Sequence, residues 1–89
     1  MIEREIPVIN KLGLHARASA KLVQATAAFK SRILLSARGR EVDAKSIMGV
    51  MMLAAGVGST VVVRADGEDA EAAVAAIADL FARRFDEGE

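Results

Sequence analysis

The hydrophobic pattern changes its period several times along the chain, and this alternation limits the folds that the chain can adopt. Apolar residues alternate with polar ones at about 2–8, 31–37, 40–44 and 59–65, which indicates short β-strands. The segments at about 16–28, 46–53 and 69–85 are instead rich in helix formers or carry an apolar stripe. Four strands and three helices in the order βαββαβα can bury their apolar faces when the helices cover one face of a single sheet. The pattern therefore predicts a two-layer α+β fold.

The ends of several elements are also marked in the sequence. Pro7 limits the first strand to an edge or to its end. Asp69 or Glu68 is expected to cap the last helix, which should run to about Phe85 with arginines in its last turn, where cations complement the helix dipole. The residues expected in the core are Leu22, Val23, Ile33, Leu35, Val61, Val63, Ala65, Ala73, Val74, Ile77, Leu80 and Phe81.

Composition excludes several classes of function. The length of 89 residues predicts a single domain that spans residues 1–89. A domain of this size has little room for a deep active-site cavity, so any chemistry is expected at the surface. The 12 Lys and Arg residues balance the 12 Asp and Glu residues, and only 3% of residues are aromatic, which argues against nucleic-acid binding. With no Cys and one His, neither a metal site nor a cofactor is expected. The N-terminal segment MIEREIPVI resembles neither a signal peptide nor a membrane span, so we expect a cytoplasmic protein without membrane insertion.

The most informative segment is GLHAR, residues 13–17, where a loop is predicted to enter the first helix. The first backbone N–H groups of a helix lack partners within it, and with the helix dipole they form a site for anions such as phosphate. His15 is placed to cap this end, and a neutral imidazole is a competent nucleophile near pH 7. The guanidinium of Arg17 offers a fork of donors that matches phosphate oxygens. His15 is therefore a candidate phosphoryl acceptor, with the Arg17 side chain and the backbone N–H groups of Ala16, Arg17 and Ala18 as candidate phosphate ligands.

A more ordinary interpretation stays open at this point. A lone histidine in a small domain commonly caps a helix or lies in a loop without further function. Arg17 alone is equally typical of a solvated surface charge.

The second helix is predicted to begin at Ser46, whose hydroxyl is a typical N-cap. It contains more apolar residues than one inward stripe can hold, so we expect Val50 and Leu53 to face the core. Exposed methionines suit docking to several partners, because their side chains adapt in shape. A docking patch is therefore predicted, formed by Ile47, Met48 and Met51 together with Ala16, Ala20, Gln24 and Ala27 on the first helix. The alternative is that all the apolar residues of this helix pack in the core, namely Ile47, Met48, Val50, Met51, Met52 and Leu53.

Three segments of the chain, GLHAR at 13–17, AKSIMG at 44–49 and the stretch 58–67, match a known family. Over nearly its whole length the chain resembles the HPr family, the phosphocarriers of the bacterial phosphoenolpyruvate-dependent phosphotransferase system. The resemblance implies an open-faced β-sandwich with an antiparallel sheet. It also implies that phosphorylated enzyme I phosphorylates His15 at its δ nitrogen, and that an enzyme IIA domain then receives the phosphoryl group.

The resemblance further implies that Ser46 is a regulatory phosphorylation site where a cognate HPr kinase/phosphorylase exists. The carrier is also expected to be a monomer. One position departs from the family, since Ala18 stands where most members have Pro. Alanine leaves the helix undisturbed and restores an N–H group near the phosphate site. Both a sugar-uptake branch and a nitrogen-related or other regulatory branch remain open.

Two other classes of function remain as alternatives. A small stand-alone phosphate-ester or acyl-phosphate hydrolase would need a further polar group to orient a water molecule, and the sequence near His15 and Arg17 offers none. A nucleic-acid-binding module is disfavoured by the neutral charge and the scarcity of aromatic residues.

Overall fold

The secondary structure follows the predicted order βαββαβα. The computed structural model describes residues 1–87, so the last two residues of the predicted domain 1–89 lie outside the described part. The elements are β1 (Ile2–Pro7), α1 (Ala16–Thr26), β2 (Arg32–Ala37), β3 (Arg40–Asp43), α2 (Ile47–Met52), β4 (Thr60–Asp66) and α3 (Ala70–Ala82), followed by one short turn of 3₁₀ type at Arg84–Asp86.

The four strands form one antiparallel sheet in the order β1-β4-β2-β3. β1 is an edge strand and Pro7 is its last paired residue, opposite Thr60, which agrees with the restriction that proline imposes. The helices cover one face, and the other face carries polar residues such as Arg64, which bridges Glu3 and Glu41 at 2.7 and 3.2 Å. The open-faced α+β sandwich expected from the sequence is confirmed.

The core lies between the sheet and the helices. Ile33, Leu35, Val61 and Val63 are fully buried on the inner face of the sheet. The predicted apolar stripe of α3 packs against that face, with its members Ala73, Val74, Ile77, Leu80 and Phe81 all buried. Each large apolar side chain removed from water contributes about 1.5–3 kcal/mol. Burial of this layer therefore holds α3 against the sheet.

The C-terminal end of α3 differs from the prediction. The helix ends at Ala82 rather than near Phe85, and no basic residue lies in its last turn. Arg84, Phe85 and Asp86 follow with φ of 54°, 55° and 61°, so three consecutive residues with side chains are left-handed. This conformation costs roughly 1–2 kcal/mol per residue. Burial of Phe85, whose ring meets Phe81 edge-on at 4.8 Å between centroids, offsets part of that cost.

Asp69 occupies the N-cap position of α3, as predicted, but its side chain does not cap the helix. Its carboxylate instead accepts hydrogen bonds from the backbone N–H groups of Lys30 and Ser31, at 2.8 and 2.9 Å, and from the Ser31 hydroxyl. The bond from the Ser31 hydroxyl and those from the backbone lower the pKa of Asp69 to about 2. Asp69 thus ties the start of α3 to the start of β2.

We expect Asp69→Asn to destabilise the fold at neutral pH and to weaken its sensitivity to acid. Because the pKa of Asp69 is lower in the folded chain, its contribution is complete above the ordinary value of 3.8 and is lost as the pH falls toward about 2. Urea unfolding of both proteins at pH 7, 5, 3 and 2 measures this, with Glu68→Gln in the same turn as control. Parallel stability curves for the parent and Asp69→Asn would contradict the assignment.

Candidate functional site

The loop before α1 is fixed by a glycine that no other residue can replace without rearrangement. Gly13 is buried with φ of +62°, and a Cβ atom there would lie 2.5 Å from the carbonyl oxygen of Ala55. Its own carbonyl accepts a hydrogen bond from the side-chain amide of Asn10 at 2.8 Å. The N–H of Leu14 donates to Ala55 at 2.9 Å. These contacts set the direction in which the chain enters α1.

His15 is the N-cap of α1, in extended conformation at φ −75° and ψ −179°. Its carbonyl accepts from the N–H of Ser19 at 2.8 Å, while its Nδ1 accepts from the N–H of Arg17 at 3.3 Å. The ring therefore points Nδ1 at one of the otherwise unpartnered N–H groups of the helix start. The side chain is 27% exposed, so a partner can reach it from solvent.

The other ring nitrogen contacts a residue that no sequence motif indicates. His15 Nε2 contacts the Glu87 carboxylate directly, and that side chain is only 11% exposed. The amide of Asn10, which is fully buried, donates to the second carboxylate oxygen at 3.0 Å. Glu87 lies 72 positions from His15. No local pattern points to such a distant pairing, and the only available signal was the acidic character of the C-terminal segment.

The ionisation of Glu87 determines how the histidine ring is held. Burial raises the pKa of Glu87, but hydrogen bonds from Asn10 and His15, the charge of Lys21 and that of the His15 ring when protonated outweigh it and leave the pKa below its ordinary value. The carboxylate can only accept hydrogen bonds, so the geometry assigns the N–H of a neutral ring to Nε2. Nδ1 then carries the lone pair.

Arg17 lies beside His15 on the exposed side of the first turn. Its guanidinium makes no hydrogen bond or ion pair with another residue between 1 and 87. An open cavity at this helix end is lined by Lys11, Leu12, His15, Ala16, Arg17, Asp86 and Glu87. Of the three predicted backbone donors, Ala16 and Arg17 are exposed and Ala18 is buried. Among residues 1–87, no three His, Cys, Asp or Glu side chains are grouped so that they could hold a metal ion.

The second helix begins as the sequence indicates. Ser46 is its N-cap, and the Ser46 hydroxyl accepts from the N–H of Gly49 at 3.1 Å. Val50 and Leu53 are buried, whereas Met48 is 71% exposed. The structure places the other predicted docking residues as follows: Ile47, Met51, Ala16, Gln24 and Ala27 are exposed, and Ala20 is half-buried.

Comparison with known proteins decides the family. A family model described as the PTS HPr component phosphorylation site matches residues 2–83. The chain belongs to the HPr family. Phosphocarrier protein HPr of Cupriavidus necator is 60% identical over 89 residues, which are the whole of both chains. Among solved structures, HPr-C-His from Thermoanaerobacter tengcongensis superposes with a TM-score of 0.94 at 42% identity, covering 98% of each chain.

Membership of the HPr family makes the chain a phosphocarrier rather than a stand-alone catalyst. It therefore favours the phosphocarrier over the hydrolase and over the nucleic-acid-binding module. A second solved structure, an HPr dimer from Thermoanaerobacter tengcongensis, has a TM-score of 0.77 at 42% identity and covers 96% of this chain and 98% of that one. None of the helices between residues 1 and 87 has the length and apolar character needed to cross a membrane.

Proposed function

We propose that His15 takes a phosphoryl group on Nδ1 from phosphorylated enzyme I and passes it to an enzyme IIA domain. The observation that supports this most directly is the capping geometry, because Nδ1 faces the N–H of Arg17 at 3.3 Å. When a phosphoryl group approaches Nδ1, one of its oxygens can accept that N–H bond in place of the ring. The helix start then stabilises the transferred charge with groups that are already oriented.

The chemistry of the acceptor suits a carrier. A phosphoryl group on an imidazole nitrogen is labile and can be passed on, whereas a serine or threonine phosphate ester is too stable for relay. Loose phosphoryl transfer depends on positioning and on charge complementarity. The proposed phosphate ligands are the Arg17 side chain and the backbone N–H groups of Ala16, Arg17 and Ala18. A shallow site of this kind is completed when the partner protein covers it.

Both partners are proposed to dock on the patch beside His15, formed by Ala16, Ala20, Gln24, Ala27, Ile47, Met48 and Met51. The exposed methionine and isoleucine side chains provide apolar area, and the small residues of α1 allow a partner to approach closely. We further propose that residues 1–89 act as one domain, as a monomer, in the cytoplasm.

The experiment that tests the proposed function is incubation of the chain with phosphoenolpyruvate and enzyme I, followed by intact mass measurement. We expect a gain of one phosphoryl group that is lost in acid and that appears on an enzyme IIA domain when this is added. A chain that gains no phosphoryl group would contradict the proposal.

Ser46 is proposed as a regulatory site for an HPr kinase/phosphorylase, and Ser46→Asp tests this. A negative charge at the N-cap is favourable to the helix, so we expect stability within about 1 kcal/mol of the parent. The same charge lies next to Ile47 and Met48 in the docking patch and should slow phosphorylation of His15 at least about tenfold. Ser46→Asn, which keeps a capping side chain without charge, is the control. The measurements are a thermal melt and a single-turnover transfer rate. Equal transfer rates for all three proteins would contradict a regulatory role and show that Ser46 only caps the helix.

A further inference from the structure

The turn after α3 is the most irregular part of the described backbone. Arg84, Phe85 and Asp86 are all left-handed, although none of them is glycine. Residues with a Cβ atom adopt this conformation rarely and in single positions, so a run of three requires surrounding contacts that hold it. The turn also lies beyond residue 83, where the match to the family model ends.

Three contacts hold the turn in place. The Phe85 ring is fully buried against Phe81. The ammonium group of Lys21, on α1, donates to the Phe85 carbonyl at 2.6 Å. Arg83 donates to both carboxylate oxygens of Asp86 at 2.9 Å. Together these contacts reverse the chain, so that the next residue, Glu87, reaches the start of α1.

We infer that this C-terminal turn is a positioning element of the transfer site, and that Glu87 holds the His15 ring with its N–H on Nε2. The inference rests on the proposed function of His15. The Glu87 carboxylate meets Nε2 from one side, and the N–H of Arg17 meets Nδ1 from the other. The two contacts select the same tautomer and fix the rotation of the ring. The Asn10 amide, bound to Glu87 at 3.0 Å, in turn orients the carboxylate.

The tautomer determines how the transfer step balances. The Nδ1 lone pair attacks phosphorus and forms the P–N bond, while the bond to the phosphoryl donor breaks with its electron pair going to enzyme I. No proton has to leave Nδ1, and the ring keeps its proton on Nε2. The ring becomes a cation beside the Glu87 carboxylate, which stabilises it. Transfer onward to the acceptor reverses these changes and restores the neutral ring.

Other charged groups also face this site. Lys11 and Arg17 line the same cavity from the loop and from α1, and Asp86 lines it from the turn. Asp86 is already bound to Arg83, so that among residues 1–87 Glu87 is the acid in contact with the ring. A general loss of negative charge must therefore be distinguished from loss of the Glu87 contact. Glu68, exposed in the turn before α3, offers a matched control for the charge.

Nitrogen-15 NMR of the single histidine tests the inference in the intact chain, at a pH where the ring is neutral. In the parent and in Glu68→Ala we expect Nε2 to give the signal of a protonated nitrogen and Nδ1 that of an unprotonated one. In Glu87→Ala the two signals should move toward each other. In Glu87→Gln, whose amide oxygen can accept from Nε2–H, the two signals should return toward their positions in the parent.

Phosphorylation by enzyme I is measured on the same four proteins, and Glu87→Ala should react about tenfold more slowly than Glu68→Ala. An unchanged tautomer balance in Glu87→Ala would overturn the inference. The NMR result does not depend on phosphorylation. If the parent is never phosphorylated, the proposed function fails while the role of Glu87 in orienting the ring is still decided.

Discussion

His15→Ala is expected to abolish phosphorylation by enzyme I while leaving the fold intact. His15 provides the only imidazole of the 89 residues, so no other side chain of the chain can replace its ring nitrogens. The side chain lies at the surface end of α1 and contributes nothing to the apolar layer between helices and sheet. Loss of the cap should lower the stability by about 1 kcal/mol. Intact mass after reaction and circular dichroism before it measure the two effects.

His15→Asn is the matched variant for this experiment. Asparagine is a good N-cap, so it keeps the helix start, but its amide is not a nucleophile. We expect it to melt closer to the parent than His15→Ala and to remain equally unreactive. An acid-labile phosphoryl group on either variant would show that the acceptor is elsewhere.

Local sequence patterns are sufficient to predict most of the fold. The stripe from Ala73 to Phe81 repeats with the helical period, and the alternation from Val61 to Ala65 has the period of a strand. Both depend only on neighbours in the chain, as does the cap at Ser46, whose hydroxyl bonds to an N–H three residues later. The cap at His15 is likewise local, because its ring accepts from an N–H two residues later, although the turn before it also contacts Ala55.

What the sequence could not supply depends on contacts between distant segments. Asp69 has the residue type of a helix cap, but Ser31 and Lys30, almost 40 positions away, engage its carboxylate instead. The C-terminal turn is harder still to foresee, because a left-handed run is usually signalled by glycine and this one contains Arg84, Phe85 and Asp86. The turn is held instead by burial of Phe85 and by the hydrogen bond that Lys21, on α1, donates to the Phe85 carbonyl. The sequence therefore gives no indication that Glu87 is the partner of His15 Nε2, although it indicates the role of His15 itself.

Arg17→Glu is expected to reduce the rate of phosphoryl transfer strongly without reducing stability. A cation in the first turn of a helix opposes the dipole by a few tenths of a kcal/mol, and an acid there is favourable, so the melting temperature should be equal or slightly higher. The Arg17 guanidinium makes no ion pair within residues 1–87 whose loss would offset that gain. Its one proposed use is to bind the phosphoryl oxygens, and a carboxylate in its place repels them. Loss of one such charge-stabilising group typically slows a reaction roughly 100-fold or more.

Arg17→Lys separates charge from geometry, since lysine keeps the positive charge but lacks the planar fork of donors. We expect a transfer rate between those of the parent and of Arg17→Glu. Single-turnover phosphorylation by enzyme I and a thermal melt on the same samples provide both readouts. If Arg17→Glu unfolds at a much lower temperature, the arginine has a structural contact and the rate loss has another cause. If instead both variants accept the phosphoryl group as fast as the parent, Arg17 does not bind it, and the backbone N–H groups at the start of α1 are left as its ligands.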